Sequence, residues 1–255
     1  MHGARNDFVV VDRRADGAVD LVEFARWACD RRAGLGADGV ITLEPSTIAD
    51  VGMRIINADG SEAEMCGNGV RCAARWLDET HASDTIVFDT IAGRVTTQIV
   101  ERGPQYLVRV AIGVPQVSAL AMNGQIAAWF VNMGNPHVVV FCDDPANIDL
   151  ETLAQEVQRQ PRFANGTNVH LVAVQSDGTL RVRHWERGVG LTQACGTGAV
   201  ACAAVAISRG LAVSPAVVFV PGGRLVVEWD GSNEASLIGP AARVFDADID
   251  VSFLR

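Results

Sequence analysis

Two cysteines in this chain stand in matching surroundings. Cys66 opens Cys66-Gly67-Asn68-Gly69, Cys195 opens Cys195-Gly196-Thr197-Gly198, and an apolar run with helical spacing follows each. The N-terminus of a helix carries N–H groups without helical partners and a partial positive charge, which favour a thiolate and can bind a carboxylate. We therefore predict that each cysteine begins a helix and that its thiol has a lowered pKa.

Two thiols on opposite faces of one carbon can invert a stereocentre. One thiolate removes the α-proton, the opposing thiol delivers another, and N–H donors around the adjacent carboxylate stabilise the carbanion. All 21 basic residues are arginines, whereas pyridoxal phosphate enzymes hold their cofactor on a lysine. The sequence thus favours an isomerase that uses no cofactor.

The two cysteine segments belong to an internal duplication. An offset of 129 relates Asn6 to Asn135, Asn57 to Glu186 and Cys66 to Cys195. After Gly69 and Gly198 one residue is inserted, and the offset becomes 130. So long a period indicates a duplicated domain rather than a solenoid, whose repeats are about 20–50 residues. We predict two similar α+β lobes, 1–115 and 116–242, with a C-terminal strand at 243–255 that could complete the first.

Local patterns suggest that each lobe holds several strands and a helix that starts at its cysteine. A further amphipathic helix is predicted from Leu21 to Arg32. The segment from Gly34 to Gly39 matches GxGxxG, but a helix precedes it and a strand follows. That order is the reverse of a dinucleotide site and indicates the C-terminal turn of the helix. The run Ala199–Ile207 is apolar on nearly every side, so we expect a buried helix.

Composition narrows the possible partners. The 49% of hydrophobic residues is typical of a globular protein. The net charge of −9 argues against binding to nucleic acid or to an anionic membrane. No apolar run is long enough to span a membrane, and the start shows no export signal. We therefore expect a cytoplasmic protein whose six cysteines are thiols. No HExxH or Cys-X-X-Cys is present, so no metal site is expected.

The motifs closely resemble those of the diaminopimelate epimerase family. The resemblance spans nearly the whole chain and is carried by the two cysteine segments and by the following segments: Asn6-Asp7-Phe8, Gly34 to Gly39, Asn57 to Glu62, Gly134-Asn135-Pro136-His137, Thr167-Asn168-Val169, Glu186-Arg187-Gly188-Val189-Gly190 and Gly239-Pro240-Ala241. It implies two pseudo-symmetric lobes, each a mixed sheet or barrel around a central helix, with the active site in the cleft. Arg5 departs from the pattern, since a glycine usually precedes Asn6.

The resemblance also implies an activity and a set of site residues. The activity is the interconversion of LL- and meso-2,6-diaminopimelate in lysine and peptidoglycan biosynthesis, without a cofactor, in an enzyme that tends to form homodimers. Cys66 and Cys195 would be the acid/base thiols. The implied binding residues are Gly67, Asn68, Gly196 and Thr197 at the reacting carboxylate, Asn6 and Glu186 near the reacting amino group, and Asn57, Asn135, Asn168 and Arg187 at the distal end. His137 would be an ordering or proton-relay group.

Two other readings stay open. One is another cofactor-independent racemase of the same fold, such as a proline-type racemase. A distal grip by Asn57, Asn168 and Arg187 argues against it, because a small monocarboxylate needs none. The other is a non-catalytic amino acid binding protein, which has no use for two thiols.

Overall fold

The computed structural model describes residues 1–15, 20–121 and 128–250. It divides into two compact units. Unit 1 combines Met1–Val110 with the segment from Gly239 onward, and unit 2 is Ala111–Ile238. The sequence analysis placed these boundaries at 115/116 and 242/243. In the structure they fall within strands, at residues 107–113 and 235–240. No helix among the described residues is long and apolar enough to cross a membrane.

Unit 1 is a mixed sheet with two helices. The helices are α1 (Leu21–Cys29) and α2 (Gly67–His81). The strands are β1 (His2–Gly3), β2 (Asn6–Asp12), β3 (Gly39–Glu44), β4 (Val51–Asn57), β5 (Glu62–Ala63), β6 (Thr85–Thr90), β7 (Gly93–Glu101) and β8 (Leu107–Gly113), the last of which runs into unit 2.

Unit 2 likewise combines two helices with a set of strands. Its helices are α3 (Leu150–Gln158) and α4 (Gly196–Ser208), with short 3-10 turns at Pro145–Asn147 and Pro161–Phe163. Its strands are β9 (Gln116–Leu120), β10 (Ala128–Asn132), β11 (Pro136–Phe141), β12 (Asn168–Val174), β13 (Leu180–Glu186), β14 (Gly190–Thr192), β15 (Ala216–Val220), β16 (Gly223–Glu228) and β17 (Ala235–Pro240), which ends in unit 1. The predicted α+β class is confirmed.

Strand pairing reproduces the duplication residue by residue. In unit 1, β2 and β3 are parallel with Phe8 opposite Gly39, and in unit 2, β11 and β12 are parallel with His137 opposite Asn168, 129 positions later. The parallel pair β4–β6 places Val51 opposite Phe88, and β13–β15 places Leu180 opposite Val218. Between the two units, the first residue of the pair is again 129 positions later, and the second residue is 130 positions later. The inserted residue therefore lies between these strands, as the sequence predicted.

A helix that starts at a cysteine lies against the strands of each unit. In unit 1, α2 contacts β1, β2, β3 and β7, and in unit 2, α4 contacts β9–β13, β15 and β16. Every α4 residue from Gly198 to Ala206 is fully buried. An all-apolar helix is stable only when strands cover it on every side, which this arrangement provides.

One helix of unit 2 was missed by the sequence analysis. α3 packs on β12 and β13 just as α1 packs on β3 and β4, and each begins at an aspartate cap, Asp149 or Asp20. Its bounds are those of α1 moved by 129 positions. Each half therefore has two helices, because each parallel strand pair needs a crossover.

The predicted C-terminal strand at 243–255 is not formed over its described part. Residues 243–250 are irregular, and 251–255 lie outside the described residues. Arg243 in this segment pairs with Glu79 of α2. The C-terminal segment is thus held to unit 1 by side chains, without strand pairing over 243–250.

The β1–β2 hairpin turns on two residues that carry side chains. Ala4 and Arg5 have φ of +51° and +66°, and His2 and Gly3 pair with Asp7 and Asn6 on either side. A two-residue hairpin with positive φ at both positions is a type I′ turn, which favours asparagine and glycine. The glycine that the family pattern has at the position of Arg5 therefore suits the positive φ that this turn requires.

We expect Arg5→Gly to be more stable than Arg5→Ala by about 1 kcal/mol. Both variants lose the arginine side chain, but only glycine removes the Cβ that makes positive φ costly. Urea unfolding of the two variants measures the difference. Equal unfolding free energies would show that Arg5 is not strained in solution.

Candidate active site

Cys66 is the N-cap residue of α2. Its backbone is extended (φ −140°, ψ 111°), and Gly67 is the first helical residue, as predicted. The cysteine carbonyl accepts the first helical hydrogen bond from Val70 N at 2.9 Å. The thiol therefore stands at the turn where helix N–H groups and the positive end of the dipole are presented.

The amide of Asn6 faces this thiol in one orientation. Its Oδ1 accepts from Cys66 Sγ at 3.5 Å and from Asn68 Nδ2 at 3.2 Å, while its Nδ2 donates to Asp38 Oδ2 at 2.7 Å. Arg31 in turn bonds both Asp38 and Asp7 at 2.8 Å. Although burial raises the pKa of Asp7, hydrogen bonds from Arg31 and from Asp38 lower it below the usual value. Asp38, itself held by Arg31, thus fixes Asn6 with its oxygen toward the sulfur.

A buried arginine, Arg71, is hydrogen-bonded to the first residues of α2. Arg71 is 0% exposed and donates to Pro240 O at 3.1 Å, to Gly67 O at 3.3 Å and to Asn68 Oδ1 at 2.8 Å. Burial lowers the pKa of this guanidinium. Because Arg71 occupies Asn68 Oδ1, the Nδ2 of Asn68 is left to donate to Asn6.

Asn57 lies at the end of β4, in the turn that leads to β5. Its Nδ2 donates to Ser61 Oγ at 3.0 Å, and its backbone bonds Ser61 and Gly60. These bonds give it a turn-forming role within unit 1. Its predicted contact with a substrate stays a prediction.

Cys195 occupies the corresponding position in unit 2, as the N-cap of α4 with φ −121° and ψ 114°. Its Sγ lies 3.6 Å from Thr197 Oγ1, and the carboxyl group of Glu186, at the end of β13, is hydrogen-bonded to the thiol. Burial raises the pKa of Glu186, whereas the neighbouring Thr192 and Cys195 side chains lower it. Unit 2 therefore brings the side chains of Cys195, Thr197 and Glu186 together.

The expectation of a lowered thiol pKa is wrong for Cys195. Burial, followed by the charge and hydrogen bond of Glu186, raises the pKa of this thiol well above its usual value. Thr197 and the Gly198 N–H lower it, but burial and Glu186 outweigh them. Cys195 is thus held as a thiol, a proton donor.

Asn168 and Arg187 form a second polar group in unit 2. Asn168 donates to Pro136 O at 2.9 Å and accepts from the Arg187 backbone N at 3.0 Å. Arg187 Nη1 reaches Asn165 O at 3.3 Å, and the stem of its side chain lies against Gly166. Within the described part of the chain no ion pair joins Arg187 to a carboxylate.

Asn135 and His137 complete this group. Asn135 Oδ1 lies 2.7 Å from His137 Nε2, at the start of β11, and the His137 side chain is fully buried. Burial, the neighbouring His184 and the charge of Arg187 lower the pKa of His137 to about 3. The histidine is therefore neutral at physiological pH.

Sequence reasoning missed three polar residues at these half-sites. Asp38 orients Asn6 in unit 1, and His170 and His184 continue the hydrogen bonds of His137 in unit 2. The signal for the histidines was available, because Ile41 and Ile55 occupy these positions in the first copy. No cluster of three or more acidic, histidine or cysteine side chains in the described residues is arranged to hold a metal ion.

Each unit thus presents a thiol at a helix start, beside polar side chains of fixed orientation. Such a half-site can bind a carboxylate on helix N–H groups and exchange a proton with the adjacent carbon. Each unit can therefore supply one acid/base group of the two that such an inversion requires.

Comparison with known proteins identifies the family. The sequence model of the diaminopimelate epimerase family matches residues 1–118 and 129–244. The chain is 40% identical to a diaminopimelate epimerase of Sphingopyxis alaskensis over 261 residues, covering 98% of this chain and 96% of that protein. It is 39% identical to the one of Desulfitobacterium hafniense over 268 residues, covering 96% of this chain and 95% of that protein.

Solved structures of more distant proteins share the fold of this chain. A hydroxyproline epimerase from Agrobacterium vitis, with bound trans-4-hydroxy-L-proline, superposes with a TM-score of 0.63 at 18% identity, over 86% of this chain and 77% of that one. Identity this low establishes the fold alone. The sequence matches extend over nearly the whole length and include both cysteine half-sites. These matches show that this chain belongs to the diaminopimelate epimerase family.

Proposed function

We propose that this protein interconverts LL- and meso-2,6-diaminopimelate by proton transfer at one α-carbon, with Cys66 and Cys195 as the two acid/base groups. The observation that carries the proposal is the equivalence of the two cysteines. Each is the N-cap of a helix at the same position of a duplicated unit. The family membership supplies the substrate.

The reaction requires one thiol on each face of the α-carbon. In one direction a thiolate takes the α-proton as the C–H bond breaks, and the opposing thiol gives its proton to the carbanion, so that one C–H bond is lost and one is formed. The protonation states of the two sulfurs are exchanged at the end. N–H groups at the starts of α2 and α4 stabilise the charge that develops on the carboxylate.

The polar side chains around each sulfur have separate roles. Asn6 accepts from the Cys66 thiol, and Glu186 keeps the Cys195 thiol protonated through its charge and hydrogen bond. Both also suit the reacting ammonium group, because each offers an oxygen acceptor. Gly67, Asn68, Gly196 and Thr197 hold the reacting carboxylate through their backbone N–H groups.

The distal half of the substrate carries a second ammonium and a second carboxylate. The guanidinium of Arg187 suits that carboxylate, since arginine binds carboxylates in a planar, two-pronged geometry. Asn57, Asn135 and Asn168 complete the grip. Binding of the distal end by these residues would favour a substrate with two amino acid ends over a small monocarboxylate.

The protein is further proposed to act in the cytoplasm, as a homodimer, with lysine and peptidoglycan synthesis as the use of its product. Six free cysteines in the described residues fit a reducing compartment. Sedimentation at several protein concentrations tests the dimer.

We expect Cys66→Ser and Cys195→Ser each to lower the epimerisation rate by about 100- to 10,000-fold, because a hydroxyl is a far poorer base than a thiolate. Chromatographic separation of LL and meso isomers measures the rate. Cys142→Ser, which changes a half-buried cysteine outside both half-sites, is the control. A serine variant at either helix start with half the wild-type rate would exclude that sulfur from proton transfer.

We expect Glu186→Gln to lower the pKa of the Cys195 thiol, because the substitution removes a negative charge that disfavours the thiolate. The pH dependence of iodoacetamide modification, with the modified residue identified by mass spectrometry, should shift to lower pH. Glu151→Gln, an exposed change in unit 2, should leave it unshifted. An unchanged profile in Glu186→Gln would mean that the carboxylate does not control this thiol.

A further inference from the structure

Unit 2 contains a buried row of three histidines, one from each of three adjacent strands. His137 lies on β11, His170 on β12 and His184 on β13, and they are 0%, 0% and 1% exposed. His137 Nδ1 is 2.8 Å from His170 Nε2, and His170 Nδ1 is 2.9 Å from His184 Nδ1. The row ends at Asn135, whose Oδ1 is 2.7 Å from His137 Nε2.

The hydrogen bonds assign one proton to each ring. Because Asn135 Oδ1 only accepts, His137 carries its proton on Nε2 and accepts at Nδ1. His170 then donates from Nε2 and accepts at Nδ1, and His184 donates from Nδ1. The last atom of the row, His184 Nε2, has no hydrogen-bond partner among the described residues. Burial lowers the pKa of all three rings, which keeps them neutral.

The first copy of the duplication shows that packing does not require these histidines. The equivalent residues of unit 1 are Phe8, Ile41 and Ile55, all buried, and they lie directly against Gly69 of α2. In unit 2 the ring of His170 lies in the same place against Gly198 of α4, where a Cβ would come within 2.6 Å of it. Apolar side chains therefore satisfy the same position under the same helix start.

A buried polar row is costly unless all its members are hydrogen-bonded, and this one leaves an acceptor unpaired. The row does not conduct protons to a base, because it ends on an amide oxygen, which is too weakly basic to accept one. What it can do is orient. With Oδ1 held by His137, the amide of Asn135 is fixed in an orientation that leaves its Nδ2 hydrogens for a ligand.

We propose that His170 and His184 are positioning residues that lock the His137 tautomer and thereby present the N–H donors of Asn135 to a carboxylate of the bound substrate. The assignment of that carboxylate to the distal end of diaminopimelate rests on the proposed function. A reversed row would turn the amide oxygen toward the carboxylate, which would repel it.

The tautomers can be read without any substrate. In the full-length protein with 15N-labelled histidine, long-range 1H–15N NMR correlations distinguish Nε2–H from Nδ1–H rings, and single-histidine variants assign the signals. We expect Nε2–H at His137 and His170 and Nδ1–H at His184. An Nδ1–H or doubly protonated His137 at neutral pH would overturn the proposal.

Substitutions at His170 test the consequence for binding. The amide of His170→Gln can accept from His184 and donate to His137, whereas His170→Ile, the residue of the first copy, can do neither. We expect His170→Ile to raise KM for LL-diaminopimelate about three- to tenfold with kcat little changed, and His170→Gln to stay within about twofold of wild type. His81→Ile, at an exposed histidine, is the control.

Equal KM values for the folded glutamine and isoleucine variants would contradict a positioning role. If His170→Ile fails to fold, the double variant His170→Ile/His184→Ile restores two residues of the apolar trio and is expected to show the same rise in KM. If wild-type protein fails to turn over diaminopimelate, the proposed function fails, while the tautomer measurement still decides whether the row orients Asn135.

Discussion

The buried start of a helix at a cysteine, in each unit, is the constraint on which the structure depends. Such a start leaves N–H groups without helical partners, and it is tolerable inside a protein only if a ligand or side chains satisfy them. In unit 1, Arg71 and Asn6 hold the side chains around α2 in place. In unit 2, nearly the whole of α4 is covered by strands. The strands packed against α2 and α4 fix the position of each sulfur.

The two sulfurs stand at equivalent places in different surroundings. Cys66 faces the neutral oxygen of Asn6, whose orientation is set by Asp38, while Cys195 faces the carboxyl group of Glu186. At Cys195 the helix dipole competes with burial and with a negative charge, and the latter two prevail. A duplicated scaffold has thus acquired two half-sites of unlike electrostatics, which suits a reaction that starts with one thiolate and one thiol.

The sequence predicted the α+β class and a helix that starts at each of the two matching cysteines, because an offset of 129 positions, which becomes 130 after Gly69 and Gly198, relates the two copies. The same offset applied to Leu21–Cys29 predicts α3, yet the helix was missed because local periodicity was considered alone. The thiol pKa at Cys195 could not be read from the sequence, since it depends on burial and on the position of Glu186. His170 and His184 stand out in the sequence as polar residues at positions that are isoleucines in the first copy, but only hydrogen-bond geometry shows that the histidine row ends on Asn135.

The most direct test of the account is proton NMR of LL-diaminopimelate with the reduced protein in deuterated water. Proton transfer by two thiols that exchange with solvent predicts that the meso isomer forms with deuterium at the inverted α-carbon alone. Meso product without deuterium would contradict the two-base mechanism. Exchange and inversion of proline or another amino acid, with diaminopimelate untouched, would keep the chemistry of the two cysteines and overturn the substrate.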